Sequence, residues 1–282
     1  MSTWLAGYGD THSGSTVAVY PHEGFTLDDG GRYEPSPLQH LLADWWDEAW
    51  VKARQMIGTD PWHLIGNGDH VDGDHHNTPQ IISRLPSAQI KGCVRLLRSG
   101  PLKGSPKAVH IIRGTESHVG KSGSAEEAIA AVLAAGDDDF PGVPVIPDPD
   151  TGTKSTFWRR FEVEGNLIDC RHHGRMGQRA HTRASYASLY AHDIWEEHVL
   201  GGDKCPRICL RSHHHTYMDS GPHPAYPRVI TLPCWQMPTA FTHRIAIEAL
   251  PSIGIVLIRI DGEQIDVHPI LFKAERPTAV VC

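Results

Sequence analysis

Five short runs of metal-ligand residues punctuate this chain in a fixed order: Asp10-Thr11-His12, Gly68-Asp69-His70-Val71-Asp72-Gly73, Arg113-Gly114-Thr115-Glu116-Ser117-His118, His172-His173-Gly174 and Ser212-His213-His214-His215. Each follows an apolar run rich in β-branched residues, and each offers hard carboxylate oxygens or imidazole nitrogens. Ligand sites in open sheets gather outside the carboxyl ends of strands. The pattern therefore asks for sheets whose successive strands deliver their C-terminal loops to one rim. Such a rim, holding three carboxylates and several histidines, can bind two divalent cations side by side.

The composition agrees with that reading. Twenty histidines are present, and they group as His75-His76, His172-His173 and His213-His214-His215; histidine is the commonest metal ligand. A formal charge of −7, from 26 basic and 33 acidic side chains, disfavours a broad nonspecific nucleic-acid surface but leaves a local groove open. With 282 residues, 40% of them hydrophobic, the chain can bury a sizeable core, and one domain over 1–282 is expected. No apolar stretch approaches the roughly 20 residues of a bilayer span. Met1-Ser2-Thr3-Trp4 also lacks the basic and apolar regions of a signal peptide, so a cytoplasmic protein without membrane contact is expected. The six cysteines, Cys93, Cys170, Cys205, Cys209, Cys234 and Cys282, follow no disulfide pattern and read as free thiols. Nothing in the sequence sets an oligomeric state.

Periodicity places the motifs on elements. Strands are expected at 3–9, 16–20, 62–67 and 109–112, each but the second running into a ligand cluster. A helix from Pro37, with Ser36 as N-cap and Gly58 as stop, is expected to present Leu38, Leu41, Leu42, Trp45, Trp46, Ala49, Trp50 and Ala53 on one broad face. Further helices are expected at 79–99, at 124–135 from a Ser124-x-x-Glu127 capping box, and at 182–199. Residues 136–154 read as a long loop. The second half is richer in strands, at 156–163, 166–171, 207–211, 228–232, 253–260 and 264–270. Alternating strand and helix units giving way to antiparallel β point to an α/β (α+β) architecture, a two-sheet mixed β sandwich flanked by helices.

Within the constellation, Asp10 and His12 can touch one cation and the Asp69 carboxylate can bridge two. Glu116 can supply a third carboxylate, His213 and His215 can send one imidazole to each metal, and His172 or His173 completes the second. Mixed oxygen and imidazole donors suit Mn²⁺, Fe or Zn²⁺, with Mg²⁺ as a further candidate. His192-Asp193 also occurs in all-helical phosphohydrolases, but this chain is too rich in strands for that fold.

The ordered set, from Asp10 to His215, resembles the calcineurin-like metallophosphoesterase superfamily, whose motifs are Asp-x-His, Gly-Asp-x-x-Asp, Gly-Asn-His-Asp/Glu, a lone His and Gly-His-x-His. The resemblance implies an αββα sandwich with a dinuclear centre. It places Asp10, His12 and His215 on the first metal, Asp69 between the two, and His172 and His213 on the second. Two departures stand out. Thr115-Glu116-Ser117-His118 replaces Asn-His, so Glu116 is expected to take the place of the amide ligand and His118 that of the family's acid; Ser212 replaces a glycine. The segment from Gly114 to Gly120 also resembles phage-encoded members.

The expected chemistry is hydrolysis of a phosphate ester, monoester or diester, by a metal-bridging hydroxide, with a nucleotide or nucleic acid among the candidate substrates. Arg113 would stabilise developing charge, and His118, oriented by Asp72, would protonate the leaving alkoxide. Arg171, Arg175, Arg179 and Arg183 surround the fourth motif and are candidates to grip further phosphates. The alternative is a catalytically silent, metal-stabilised binding or structural module.

Overall fold

Alternation along the strands decides which side chains face which layer. The computed structural model describes residues 2–27, 29–75, 77–175, 180–244 and 250–275, with backbone only at 180–184. In chain order the principal elements are β1 (Thr3–Tyr8), α1 (Pro37–Ile57), β2 (Trp62–Asn67), α2 (Pro86–Ser99), β3 (Ala108–Ile112), α3 (Glu116–Val119), α4 (Ser124–Ala135), β4 (Ser155–Thr156), β5 (Trp158–Val163), β6 (Asn166–Arg171), α5 (Ala180–Gly201), β7 (Ile208–Arg211), β8 (Met218–Asp219), β9 (Arg228–Thr231), β10 (Ile253–Asp261) and β11 (Gln264–Phe272).

One sheet has the order β11-β10-β1-β2-β3-β4, the other β8-β9-β7-β6-β5. Leu5, Ile65 and Ile112 point inward and meet Ile168, Leu210 and Ile230 of the second sheet. Their neighbours Trp4, Leu64 and Ile111 point outward and are covered by Trp46 and Trp50 of α1, Leu97 of α2 and Ile129 of α4. This period-two division marks strands buried on both faces. Ala191 and Ile194 of α5 cover Cys209 and Val229 on the outer face of the second sheet. The architecture is thus the expected α/β sandwich, two mixed sheets between helical layers.

Helix α1 starts and stops where its caps dictate. The Ser36 side chain accepts from Gln39 N, the Gln39 side chain returns the bond to the cap, Pro37 holds the first position, and Gly58 ends the helix at φ 60°. Three expectations need correction. Residues 16–20 form no strand, because their backbone is satisfied elsewhere: the buried Gln39 amide donates to Ser15 O and Ala18 O, and Val19 N reaches Trp235 O. Helix α2 begins at Pro86 and not at 79, since a residue preceding proline is steered away from helical geometry. Ser124 is not the cap of α4; Gly123 is, and Glu127 is drawn off to Lys154 N and Ser155. Among the described residues no helix is long and apolar enough to cross a membrane.

Between the sheets, His63, His110 and Phe161 lie in a stack, with the His110 and Phe161 ring centroids 4.1 Å apart. Burial, then the neighbouring His63 and Arg159, lowers the His110 pKa from 6.5 to about 3. An unfolded chain therefore takes up a proton between these values that the folded chain refuses. Stability contributed by neutral His110 is present above pH 6.5 and is lost as the pH falls, by up to about 1.4 kcal/mol per unit. His110→Phe is expected to flatten the slope of urea-unfolding free energy between pH 6 and 4; an unchanged slope would refute that assignment.

Candidate metal centre

All five ligand-bearing loops leave parallel strands at the same end. β1, β2 and β3 are mutually parallel, as are β6 and β7. Backbone bonds stitch the loops together: Asp10 N donates to Gly68 O at 3.0 Å, His12 N to Asp69 O at 3.0 Å, and Ser212 N to His172 O at 2.8 Å. The buried Asn67 amide ties one sheet to the other, donating to Arg171 O at 3.1 Å and Ser212 Oγ at 2.8 Å. Ser212, standing where the resemblance has glycine, thus uses its hydroxyl in the joint.

Two donor groups result. In the first, Asp10 Oδ1 lies 3.4 Å from His215 Nε2 and 3.8 Å from His12 Nε2, and the two imidazole nitrogens face each other at 3.2 Å. In the second, Asp69 Oδ2 lies 3.0 Å from His172 Nε2. Thr115 Oγ1 sits amid that group, 3.0 Å from Asp69 Oδ2, 3.3 Å from His172 and His173 Nε2, and 3.1 Å from His213 Nδ1. Asp69 also groups with His12 and His118, and with Asp10 and His172, so its carboxylate faces both.

The donor set fits divalent cations on three counts. Asp10 Oδ1 is fully buried with no hydrogen-bond partner, a costly state that a cation relieves. Two of the histidines have their other ring nitrogen anchored, His172 Nδ1 donating to Asn67 O at 2.7 Å and His118 Nδ1 to Asp72 O at 2.6 Å, while His12 Nδ1 lies 3.2 Å from Asp72 Oδ1 without a hydrogen bond. Such anchoring fixes the tautomer and orients a ligating imidazole. Finally, charge is already polarised. Burial alone would raise the carboxyl pKa values, yet the surrounding imidazoles hold Asp10, Asp69 and Asp72 well below the usual range. Desolvation opposes a charged His172, but Asp69 lifts it to about 9. Burial and then His12 push His118 down to about 4, while burial and His172 push His213 to about 3.

The backbone is bent to make this possible. Asp10 (φ 51°), His12 (42°), Asp69 (51°), His213 (73°) and His215 (53°) all occupy the left-handed region, at about 1–2 kcal/mol each for a residue with a side chain.

Several expected site residues are placed differently. Glu116, expected as the amide's replacement, is exposed on α3 and belongs to none of the donor groups. Thr115 turns inward instead, because its N–H and hydroxyl both bond the Asp69 carboxylate. Arg113 points away from the centre: its Nε donates to Ser155 Oγ at 2.9 Å, it pairs with Glu127 at 3.4 Å and lies over the Phe157 ring. Arg113→Ala is expected to lower stability by about 1 kcal/mol and leave turnover unchanged, which a thermal melt beside a rate assay would check. Asp72 orients His118 through its backbone carbonyl, and its carboxylate serves His12 and accepts from Gln236 Nε2. His172 is buried and shared between groups, whereas His173 is exposed and joins only the group with His213. Of the four arginines, Arg171 stacks on Trp158 at 3.7 Å and Arg175 pairs with Asp193 at 3.3 Å. Arg179, the Arg183 side chain and His76 lie outside the described residues. Sequence reading passed over Thr115 and Asn67. Only the position of Thr115 directly after Gly114, where the motif order asks for a ligand, signals it.

No protein-family profile and no curated protein matches the chain. Among solved structures it is similar to a predicted phosphoesterase from Streptococcus pneumoniae, at 12% identity, covering 96% of this chain and 90% of that one with a TM-score of 0.36. An archaeal phosphodiesterase aligns at 10% identity over 95% and 99% of the two chains, TM-score 0.41. Zinc-complexed Vps29 from Entamoeba histolytica aligns at 10% identity over 96% and 99%, TM-score 0.39.

Proposed function

We propose that this chain hydrolyses phosphate esters with the help of two divalent cations. The observation that carries the reading is the buried, unpartnered Asp10 Oδ1 facing three imidazole nitrogens beside a second donor group that shares Asp69. Asp10, His12 and His215 would hold one cation, His172 and His213 the other with Thr115 and His173 alongside, and Asp69 would face both. A bound pair supplies an acidified water and a clamp on the phosphoryl oxygens. The mixed donors favour Mn²⁺, Fe or Zn²⁺ over an all-oxygen ion. For the chain itself, His118 keeps its Nδ1 proton on Asp72 O and its lowered pKa keeps the ring neutral, so Nε2 is open to take the proton that the attacking water gives up and pass it to a leaving alkoxide. The substrate class we assign is a phosphomonoester or diester, nucleotides and nucleic acid included, acted on by one catalytic unit over 1–282 in a cytoplasm; the phage-like 114–120 segment would make that a host cell's.

The test is metal analysis with assays on bis-p-nitrophenyl phosphate, nucleotides, cyclic nucleotides and single-stranded DNA in added Mn²⁺. Two equivalents per chain are expected, with turnover lost to a chelator and restored by Mn²⁺. A chain that takes up no cation would overturn the proposal. Two cations without turnover would favour a silent metal-stabilised module, a reading to which the outward-turned Arg113 lends some support.

A further inference from the structure

Behind the donor groups, on the helix side of the first sheet, lies a second polar cluster that the proposed chemistry does not use. Tyr8, His70 and Glu126 are each fully buried. Tyr8 OH lies 3.1 Å from His70 Nε2, and His70 Nδ1 lies 3.3 Å from Glu126 Oε1. That same Glu126 oxygen accepts from Gly114 N at 3.2 Å, and Thr11 Oγ1 donates to His70 O at 2.9 Å. Burying three such groups is expensive unless they are mutually satisfied, and Glu126 Oε2 still has no partner. A helix residue chosen only for packing would be apolar here.

The connections explain the expense. His70 directly follows Asp69, Gly114 directly precedes Thr115, and Tyr8 stands two residues before Asp10. One carboxylate from α4 therefore grips the loops of the second and third ligand motifs directly and reaches the first through His70. Asp69 and Thr115, which meet through two hydrogen bonds of 2.6 and 3.0 Å, are each held from the rear by a neighbour bonded to the same Oε1. We propose that Glu126, through His70 and the Gly114 N–H, is a positioning residue that sets the Asp69–Thr115 pair at the separation cation binding requires. The inference rests on the metal-binding reading above. It makes no contact with substrate or cation, and acts as an outer support of the ligands, the kind of role whose loss weakens metal binding about 10–100-fold.

The experiment measures Mn²⁺ affinity of the folded protein by calorimetry, well below the melting temperature of each variant. Glu126→Ala is expected to weaken Mn²⁺ binding by about 10–100-fold. Glu126→Gln keeps an oxygen able to accept from both Gly114 N and His70, and is expected to stay within about threefold of wild type. Should the alanine variant not fold, Tyr8→Phe carries the test, since it removes only the far hydroxyl of the network; a loss of about threefold or more is expected. A purely structural carboxylate would change the melting temperature and leave Mn²⁺ affinity untouched, and that result in Glu126→Ala or Tyr8→Phe overturns the inference. Failure of the wild-type chain to bind Mn²⁺ would instead overturn the reading on which it rests.

Discussion

Asp69→Asn is expected to abolish cation loading and turnover together. The carboxylate oxygens of Asp69 accept from Thr115 N at 2.6 Å and Thr115 Oγ1 at 3.0 Å while Oδ2 faces His172 Nε2 at 3.0 Å. An asparagine fills the same space but brings a donor NH₂ to a position ringed by other donors. It also removes a negative charge that faces both groups. Loss of a single preorganised charge-stabilising group costs about 10²–10³ in rate, and here the loss is compounded by emptying the site, so a fall of roughly a thousandfold or more is expected. His118→Ala should behave differently, keeping its cations and losing about 10²–10⁴ in rate, as removal of an acid does. Metal content and bis-p-nitrophenyl phosphate hydrolysis, measured on the same preparations, separate the two. An Asp69→Asn protein with full metal content and a normal rate would be fatal to the proposed chemistry.

Gly114→Ala is expected to be nearly as damaging, although it adds only one methyl group. A Cβ at this position would lie 2.1 Å from Asp69 Oδ1 and 2.3 Å from Asp69 N. Neither can yield cheaply, because Asp69 N belongs to a backbone already in a left-handed turn and Oδ1 is bonded to Thr115 N. Gly68, with φ 89°, brings the opposite wall within contact, its own absent Cβ lying 2.8 Å from the Gly114 Cα. Overpacking of this kind costs about 1–3 kcal/mol, and the forced separation of Asp69 from Thr115 should weaken cation binding by about 10–100-fold. Calorimetry with Mn²⁺ and a urea melt on the folded variant would register both; unchanged affinity would show that the loop absorbs the methyl without moving the ligand.

What the sequence discloses depends on how local the cause is. Helix α1 is legible to the residue because Ser36, Pro37, Gln39 and Gly58 carry its boundaries within the segment itself. The layered sandwich is legible because period-two alternation in Leu5, Leu64–Ile65 and Ile111–Ile112 is a property of each strand. Residues 16–20 mislead because they have strand-like composition, while the amide that satisfies them belongs to Gln39, more than 20 positions away. At the site, the order of the five motifs suffices to bring Asp10, Asp69, His172, His213 and His215 to one rim. The choice between Thr115 and Glu116 does not follow from residue type, since a carboxylate attracts attention as a ligand and a threonine does not. It is decided by which side chain the turn after Gly114 aims at Asp69, a matter of backbone path. The outward direction of Arg113 likewise depends on Ser155 and Glu127, which arrive from distant segments.

The left-handed turns at Asp10, His12, Asp69, His213 and His215 carry an implication for how such a chain ages over generations. Glycine or asparagine sits more comfortably in that backbone region than histidine does, so erasing an imidazole there makes the apo chain sturdier at the moment it disarms it. Descendants released from the demand for catalysis would slide downhill toward inert, heat-tolerant forms. Persistence of all five residues in a lineage would mark a protein still kept at work.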